Sequence, residues 1–302
     1  MSINSLEVAE RFTSELDKVY VQKAVTGFFA DNLLRAKFVG AKTVIVPDVN
    51  FVGLVDYDHD NGFTRSKVTV AHQPFTMEKD RGRSIEIDRE DLDETGISNL
   101  AGQIMGEYVR TKVVPETDAY VLSKLAGVAK TEGHTIEWND TKPYSVFTEL
   151  VNEVYDKAGY DEELVCFVDK TAYAAIENST EFTKSITVSD FKQGEIDIKV
   201  KHINGVAIIP VSSERMKSAY TYVKTDDTNN SGGFEKTGDA KDIHMLVLPK
   251  KAASLVKKTE KVRIFTPEQN LNADAYKFDY RIYYDVFVKK SAMGSIWASF
   301  SA

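Results

Sequence analysis

Residues 42–79 read KTVIVPDVNFVGLVDYDHDNGFTRSKVTVAHQPFTMEK and describe two extended arms that meet at Asn61-Gly62. Asn and Gly supply the two positive-φ positions of a type I′ turn. Arms of roughly 15 residues reach on the order of 50 Å, whereas a compact chain of this length has a radius of gyration of about 20 Å. The sequence therefore predicts a protruding hairpin that is stabilised by a surface outside its own body, most simply another copy of the chain.

A short strand and a long helix follow this hairpin. Ile85 and Ile87 alternate with polar residues, and an acidic turn over residues 90–96 comes next. Carboxylates at this place suit the positive end of a helix dipole. Apolar residues at helical spacing then run from Ile97 to about Lys130. Pro115 interrupts the pattern, which predicts either a kinked helix or two abutting helices.

The run DRGRSIEIDREDLDETGISNLAGQIMGEYVRTKVVPETDAYVLSKL, Asp80 to Leu125, resembles the segment that joins the extended loop to the spine helix in HK97-type major capsid proteins of tailed bacteriophages. An amphipathic N-terminal arm and TPEQNLNADAYKFDYRIYYDVFVKK, Thr266 to Lys290, extend the resemblance over most of the chain in the same order. Composition and periodicity alone predict only a mixed α+β assembly subunit.

The resemblance implies an α+β capsid fold with the following divisions: an N-terminal arm at residues 1–40, an extended hairpin (E-loop) at 41–80, a peripheral (P) domain with the spine helix at 81–138 and 258–302, and an axial (A) domain at 139–257. It also implies a function without catalysis, as a subunit that self-assembles into the icosahedral head shell. The implied partners are further copies in hexamers and pentamers, scaffold, portal and minor head proteins, and packaged double-stranded DNA bound without sequence specificity. The implied locations are the virion and, during assembly, the host bacterial cytoplasm.

Two other functions stay open at this point. An encapsulin-type bacterial nanocompartment shell has the same fold with a cargo enzyme inside. A soluble α/β enzyme with an unrecognised site in the middle section is the distant alternative. The resemblance does not show the N-terminal scaffolding extension of some relatives, so either a separate scaffold protein acts or the N-terminus is already processed.

Composition limits these choices. The chain has 302 residues, 42% of them hydrophobic and 28% charged, which is typical of a soluble globular protein with a sizeable core. The net charge of −8 argues against a surface that grips nucleic acid everywhere. Neither a span of 18 apolar residues nor a signal-peptide core is present, so we expect no membrane association. Cys166 lies in an apolar run, which indicates a buried structural thiol.

Patterns elsewhere predict further elements. Residues 6–38 form an amphipathic helix with a break near Gly27, lying either on its own domain or on a neighbour. Pro143 opens a helix, and a second helix passes through Tyr173 and Ile176. The middle section also carries buried strands, which are Leu164–Val168, Val206–Val211 and Met245–Pro249.

The sequence also predicts a loop in the axial domain and a long strand in the peripheral domain. The loop from Lys224 to Asp242 lacks aliphatic residues apart from one alanine, which predicts a mobile, solvent-facing segment. Residues 276–290 alternate as a central strand of the peripheral domain with both faces partly covered, and residues 294–300 close that domain.

No sequence motif indicates a metal or cofactor site, and we expect no cofactor. Residues 56–60 open like a calcium loop, but Asn61 stands where the sharp turn needs glycine and Lys67 where a bidentate glutamate belongs. The five histidines lack ligand-like spacing, and the phosphate-binding and nucleophile motifs GxxxxGK[ST], GxGxxG and GxSxG are absent.

The candidate site residues are therefore assembly contacts. Some capsid relatives join a lysine of the extended loop to an asparagine of a neighbour, and Lys67 with Asn270 or Asn272 are candidates by residue type, with ordinary salt bridging as the alternative. The predicted assembly residues, on the hairpin and on the mixed-charge segment after it, are Asp56, Asp58, Asn61, Gly62, Arg65, Lys67, Arg81, Arg83 and Arg89.

Overall fold

A computed structural model describes residues 24–32, 37–39, 42–50, 53–57, 59, 63, 69–90, 100–179, 186–193, 196–223 and 232–301. The strands are β1 (Lys37–Val39), β2 (Thr43–Asn50), β3 (Thr69–Thr76), β4 (Lys79–Asp88), β5 (Thr135–Glu137), β6 (Leu164–Val168), β7 (Ile186–Gln193), β8 (Ile196–Ile203), β9 (Val206–Pro210), β10 (Tyr220–Tyr222), β11 (Phe234–Lys236), β12 (Ile243–Pro249), β13 (Ala253–Phe265), β14 (Ala275–Val288) and β15 (Trp297–Phe300). The α-helices are α1 (Leu100–Tyr108), α2 (Val114–Glu132), α3 (Pro143–Ala158), α4 (Lys170–Asn178) and α5 (Lys290–Met293), and short 3₁₀ turns cover Gly27–Asn32 and Ser213–Arg215.

The hairpin pairs β2 with β3 in antiparallel register, with Thr43 opposite Thr76 and Asn50 opposite Thr69. This confirms the predicted ribbon, and β1 adds a third strand beside β2. The paired part is shorter than predicted, because residues 53–57 have no strand structure. The Asn61-Gly62 turn lies outside the described residues.

A second sheet has the order β13-β14-β4, so the C-terminal strand is central as predicted. Strand β4 alternates half-buried and exposed residues along its whole length, which confirms the alternation around Ile85 and Ile87. One face of β14 packs against α2 in the main core through residues such as Phe278 and Tyr284. The other face meets the base of the hairpin, where Val44, Val46 and Met77 pack against Val256, Tyr283 and Phe287.

The predicted long helix is confirmed as an unbroken helical run from Leu100 to Glu132, in which a π-helical turn separates α1 from α2. Helix α1 and helix α2 meet through a π-helical turn, Val109–Val113, directly before Pro115. Proline has no N–H to donate and its ring clashes with the preceding turn, so a wider turn at this place relieves the clash. Helix α2 ends at Gly133, whose φ of 76° is favourable for glycine and whose N–H caps the last turn.

A third sheet has seven strands in the order β5-β15-β12-β6-β9-β8-β7. The three predicted buried strands lie next to one another at its centre as β12, β6 and β9. Alternate residues of β6 divide between two cores: Val165 and Phe167 face the main core with α2, whereas Cys166 faces the core of α3 and α4. Both helices confirm the predictions made from Pro143 and from Tyr173 and Ile176.

The closing strand differs from its prediction. β15 lies between β12 and β5 in the seven-stranded sheet and does not pair with the β13-β14-β4 sheet. Because β5 and β15 fall in the ranges predicted for the peripheral domain, strands of both predicted domains share one sheet. One continuous core also joins α2, β14, β6 and β12.

The arm and the predicted loop are each described in part. Phe28 and Phe29 are buried, with Phe28 stacked on Phe167 at 6.2 Å, so residues 24–30 pack on the chain's own body, the first of the two alternatives. The predicted α-helix is wrong for the described part of this segment, because Gly27–Asn32 is a 3₁₀ turn and Lys37–Val39 is a strand. Residues 1–23 lie outside the described residues. The end of the segment from Lys224 to Asp242 is not a free loop, because β11 pairs with β10 and Phe234 contacts Tyr220. In the described part of the chain, no helix has the length and apolarity needed to cross a membrane.

Candidate functional site

The far end of the hairpin presents apolar side chains to solvent. Leu54 and Phe63 are 104% and 86% exposed, and Val55 and Tyr57 are also exposed. The ring of Tyr57 lies 5.0 Å from that of Phe63 and 5.2 Å from that of His59. A solvent-exposed aromatic cluster at the end of a two-stranded ribbon is typical of a protein interaction site.

The base of the hairpin is fixed to the body by the buried carboxylate of Asp285 on β14. One oxygen accepts the backbone N–H of Glu78 at 3.0 Å, and the other accepts the Tyr120 hydroxyl at 2.8 Å and Lys124 Nζ at 2.6 Å. Asp285 also accepts the N–H of Val286 at 2.7 Å. A buried charge is costly unless it is paired and hydrogen-bonded, and these four donors meet that requirement.

A second buried carboxylate, Asp118 on α2, holds residues 25 and 26 of the N-terminal arm. It accepts the N–H groups of Val25 and Thr26 at 3.3 and 3.1 Å and the Thr26 hydroxyl at 2.6 Å. Arg215 donates to it at 3.1 Å. Burial raises the pKa of Asp118, while the Thr26 hydrogen bonds and the charge of Arg215 oppose that rise. Helix α2 therefore anchors the base of the hairpin and residue 26 of the N-terminal segment.

Arg81 of β4 forms a third anchor. Its guanidinium pairs with Glu116 at the start of α2, with Nε to Oε1 at 2.6 Å, and donates to the carbonyls of Val223 and Gly233 at 3.0 and 3.2 Å. Lys79, two residues earlier, lies over the ring of Tyr222 at 3.6 Å, and burial followed by the charge of Arg81 lowers its pKa. These contacts join the strand after the hairpin to the β10–β11 ribbon.

A groove of about 1050 Å³ runs between β4, the π-helical turn and the β10–β11 ribbon. Its aromatic lining includes Tyr108, Tyr220, Phe234 and Tyr280. The acidic lining residues are Glu116, Glu214 and Glu235, and the cationic ones are Arg81, Arg83, Lys112, Arg215, Lys217 and Lys236. Lys217 pairs with Asp242 at 2.7 Å, whereas Lys112 is exposed and has no ion pair among the described residues.

The predicted assembly residues fall into three groups. Asp56 is described and lies exposed at the hairpin end. Arg81 and Arg83 line the groove, and Arg89 lies at the exposed end of β4, 3.9 Å from Glu268 and 3.8 Å from Asp274. These four described residues therefore do not lie together. Five of the nine predicted residues lie outside the described residues, and these are Asp58, Asn61, Gly62, Arg65 and Lys67.

The crosslinking candidates are only partly described. The Asn270 side chain donates to the carbonyl of Ala275 at 3.1 Å and accepts the N–H of Asn272 at 3.2 Å, so it is already used within the subunit. Because Lys67 lies outside the described residues, its pairing with either asparagine stays a prediction.

Cys166, His134 and His244 all have structural contacts. Cys166 is fully buried, and burial raises the pKa of its thiol, which confirms the structural thiol. His244 Nδ1 lies 3.2 Å from Asp169, whose other carboxylate oxygen caps α4. His134 stacks on Trp297 at 4.8 Å. No three acidic, histidine or cysteine residues of the described ranges are grouped as metal ligands.

Sequence reasoning missed the two anchoring aspartates. Asp118 follows Val113, Val114 and Pro115 in a helix with an apolar face, and Asp285 stands between Tyr284 and Val286 in an apolar strand. For Asp285 the signal is a carboxylate inside an apolar strand, and for Asp118 it is a carboxylate between Val114 and Leu122 on the apolar face of the helix, since such a charge must have buried partners.

Comparisons with solved structures identify the fold. The capsid of the cyanophage P-SCSP1u has a TM-score of 0.57 at 15% identity, covering 88% of this chain and 85% of that chain. The mature capsid of bacteriophage PhiM1 has a TM-score of 0.54 at 15% identity, with 87% and 82% covered. A virus-like particle from Pyrococcus furiosus has a TM-score of 0.54 at 11% identity, with 97% and 99% covered.

The chain therefore has the HK97-type fold of tailed-phage capsid proteins, as the sequence resemblance implied. Searches of protein-family models and of curated proteins gave no match. At these identities the likeness establishes the fold and not the function.

Proposed function

We propose that this protein is the structural subunit of an icosahedral head shell of a tailed bacteriophage, a role that needs no catalysis. The observation that carries the proposal is the likeness to phage capsid structures over more than four-fifths of both chains. The chain also carries a hairpin with an exposed apolar end, and such a hairpin has little use in an isolated subunit.

The subunit's own chemistry supports this function. The hairpin is held at its base by Asp285 and the Phe75–Phe287 stack at 4.9 Å, while its far end exposes apolar side chains. A hairpin with a rigidly packed base and an exposed apolar end is suited to overlap a neighbouring subunit. In this proposal the hairpin residues Asp56 to Lys67 and the arm before Ala24 contact neighbours, whereas Arg81 acts within the subunit.

Partners follow from the same proposal. Copies of the chain form hexamers and pentamers around the predicted axial domain, and scaffold, portal and minor head proteins complete the head. The net charge of −8 suits an inner wall that lies next to packaged double-stranded DNA and does not bind it sequence-specifically. Assembly takes place in the host cytoplasm and ends in the virion.

Electron microscopy of the purified protein, with size-exclusion chromatography, tests the proposal. We expect closed shells of uniform diameter, or capsomers that close into shells when a scaffold is supplied. A particle no larger than a small oligomer under all these conditions would reject the shell function and favour the soluble enzyme.

A nanocompartment shell is the second candidate, and one observation favours it. The likeness to the virus-like particle from Pyrococcus furiosus covers 97% of this chain and 99% of that chain. The two functions differ in the contents of the particle. Shells that co-purify with one enzyme, encoded beside the gene, indicate a compartment, whereas terminase, portal and tail genes beside it indicate a phage head.

A further inference from the structure

The groove between β4, the π-helical turn and the β10–β11 ribbon has no role in the proposed shell function. Its floor is the core-facing side of β14, where Tyr280, Ile282 and Tyr284 line it and are almost fully buried. Its volume of about 1050 Å³ is close to that of sites that enclose small molecules, which run to roughly 1,000 Å³. The groove is therefore deep and wide enough to hold a ligand.

A hydroxyl at the floor of the groove lacks a partner. Tyr284 is 1% exposed, and its hydroxyl makes no hydrogen bond of standard geometry with the described residues. Thr117 lies beside it, but the Thr117 hydroxyl donates to the carbonyl of Val113 at 2.9 Å. Leaving a buried hydroxyl unpaired is costly, and native proteins rarely do so without a functional reason. Because Tyr284 lines the groove, a bound ligand can supply the missing acceptor.

Two pairs of aromatic rings line the groove from different walls. The ring of Tyr108, at the end of α1, lies edge-on to that of Tyr280 at 6.1 Å. On the β10–β11 ribbon, the ring of Tyr220 lies edge-on to that of Phe234 at 5.3 Å. Aromatic side chains of this kind bind planar rings by stacking. The lining therefore favours a ligand with a planar aromatic part.

The wall formed by β4 and the π-helical turn carries positive charge. Lys112 is exposed on the turn, and Arg83 adds a second cation from β4. Glu116, the acidic residue of this wall, is neutralised by Arg81 with Nε to Oε1 at 2.6 Å. Lysine and arginine side chains are the groups that bind phosphate in proteins. This wall therefore fits an anion.

The opposite wall is close to neutral. Two of its cations are used within the subunit, since Arg215 pairs with Asp118 at 3.1 Å and Lys217 with Asp242 at 2.7 Å. Its third cation is Lys236, on β11, and its acidic residues are Glu214 and Glu235. A carboxylate accepts hydrogen bonds, so this wall fits a ligand end that carries hydroxyl or amino donors.

We propose that the groove binds a nucleoside phosphate. The phosphate lies at Arg83 and Lys112, and the base lies along the aromatic pairs and accepts the hydroxyl hydrogen of Tyr284. The sugar hydroxyls or the amino groups of the base donate to Glu214 or Glu235. One molecule of this class combines the anion, the planar ring and the donors that the three parts of the groove require. The inference does not depend on the shell function.

Isothermal titration calorimetry of the full chain tests the site. The probes are the nucleotides AMP, GMP, CMP and UMP, the nucleoside adenosine, and inorganic phosphate. At least one nucleotide should bind with a Kd below about 1 mM, and inorganic phosphate should bind more weakly than that nucleotide. No binding by any of the four nucleotides at this concentration overturns the proposal.

Tyr284→Phe tests the unpaired hydroxyl. It should weaken binding of the nucleotide about fivefold, because one hydrogen bond is lost, without lowering the thermal midpoint of the free subunit. Tyr283→Phe is the matched control on the other face of β14, where the Tyr283 hydroxyl donates to the carbonyl of Met77 at 3.1 Å, and it should leave the affinity unchanged. A lower midpoint of Tyr284→Phe with unchanged affinity would show a purely structural residue and overturn the proposal.

Lys112→Gln tests the phosphate contact. It should weaken binding of the nucleotide about tenfold and leave binding of the matching nucleoside unchanged, since the nucleoside has no phosphate. Lys251→Gln, on another exposed surface, is the control and should change neither affinity. Equal losses for nucleotide and nucleoside overturn the assignment. Binding of a single-stranded oligonucleotide more than about tenfold tighter than the mononucleotide also overturns it, because the groove would then be a nucleic-acid contact.

Discussion

Asp285 joins three parts of the molecule through one side chain. It is fully buried and accepts hydrogen bonds from Glu78 at the hairpin base and from Tyr120 and Lys124 on α2. Removing one member of a buried ionic network leaves the other members unpaired, which costs more than the network itself contributes.

We predict that Asp285→Ala lowers the free energy of unfolding of the unassembled subunit by about 3 kcal/mol, because Lys124 and the Tyr120 hydroxyl lose their acceptor. Urea denaturation followed by circular dichroism measures this. The control is Asp239→Ala, an exposed aspartate, which should unfold like the parent protein. Equal midpoints for the two variants would show that Asp285 is not an anchor.

Arg81 shows where charge pattern and structure diverge. Arg81 lies in a mixed-charge segment and was therefore predicted to contact a neighbouring subunit. In the structure its guanidinium pairs with Glu116 and donates to two backbone carbonyls of the same subunit. We predict that Arg81→Glu lowers the free energy of unfolding by about 2–3 kcal/mol, since it places two carboxylates together in a half-buried site.

Arg89→Glu serves as the control for Arg81→Glu, because the ion pairs of Arg89 with Glu268 and Asp274 are long and exposed. Its thermal midpoint should stay close to that of the parent protein. A stable Arg81→Glu subunit that fails only in shell formation would return Arg81 to the interface.

At the scale of elements, the hairpin divides into a packed base and a free end. Val44 and Met77 are buried against β13 and β14, whereas residues 53–57 are exposed and outside any strand. Folding should therefore depend on the base and assembly on the end.

We predict that deleting Asp56 to Lys67 and joining the arms by a short turn changes the stability of the unassembled subunit by less than about 0.5 kcal/mol and abolishes stable shells. Calorimetry and electron microscopy measure the two effects. Val44→Asp is the contrasting variant, because a charge in the buried base should destabilise the subunit itself. Normal particles from the deletion would contradict the assigned role.

Elements with strong local patterns could be predicted from the sequence. Hydrophobic periodicity and the preference of proline for the first turn of a helix act over a few residues. They predict the buried strands at Leu164 and Val206, the helix that begins at Pro143 and the alternation of β14. The partners of β15 could not be predicted, because strand pairing over more than 100 residues leaves no local trace in a four-residue strand. The anchoring aspartates were missed for a related reason, since their partners lie 92 and 207 residues away.

At the scale of the whole molecule, the predicted peripheral and axial units are not independent. Helix α2 packs with one face of the seven-stranded sheet and with β14 in a single core, and β15 crosses from the C-terminal segment into that sheet. A subunit built in this way should unfold as one cooperative unit when it is not assembled. Assembly can then shift subunits against one another without separating the two halves of a chain.

The last prediction tests this cooperative unfolding by removing residues 294–302, which include β15. Ile296, Ala298 and Phe300 are buried in the main core, and β15 covers an edge of β12. Burial of an Ile or Phe side chain contributes about 1.5–3 kcal/mol each, and a lost strand ladder adds to that, against a total stability of about 5–15 kcal/mol. The truncated chain should therefore lose cooperative thermal unfolding, measured by near-UV circular dichroism, whereas a chain that ends at Phe300 should keep it. A truncated chain that melts like the intact subunit would show that the seven-stranded sheet folds without the C-terminal strand, and that the two predicted domains are separable after all.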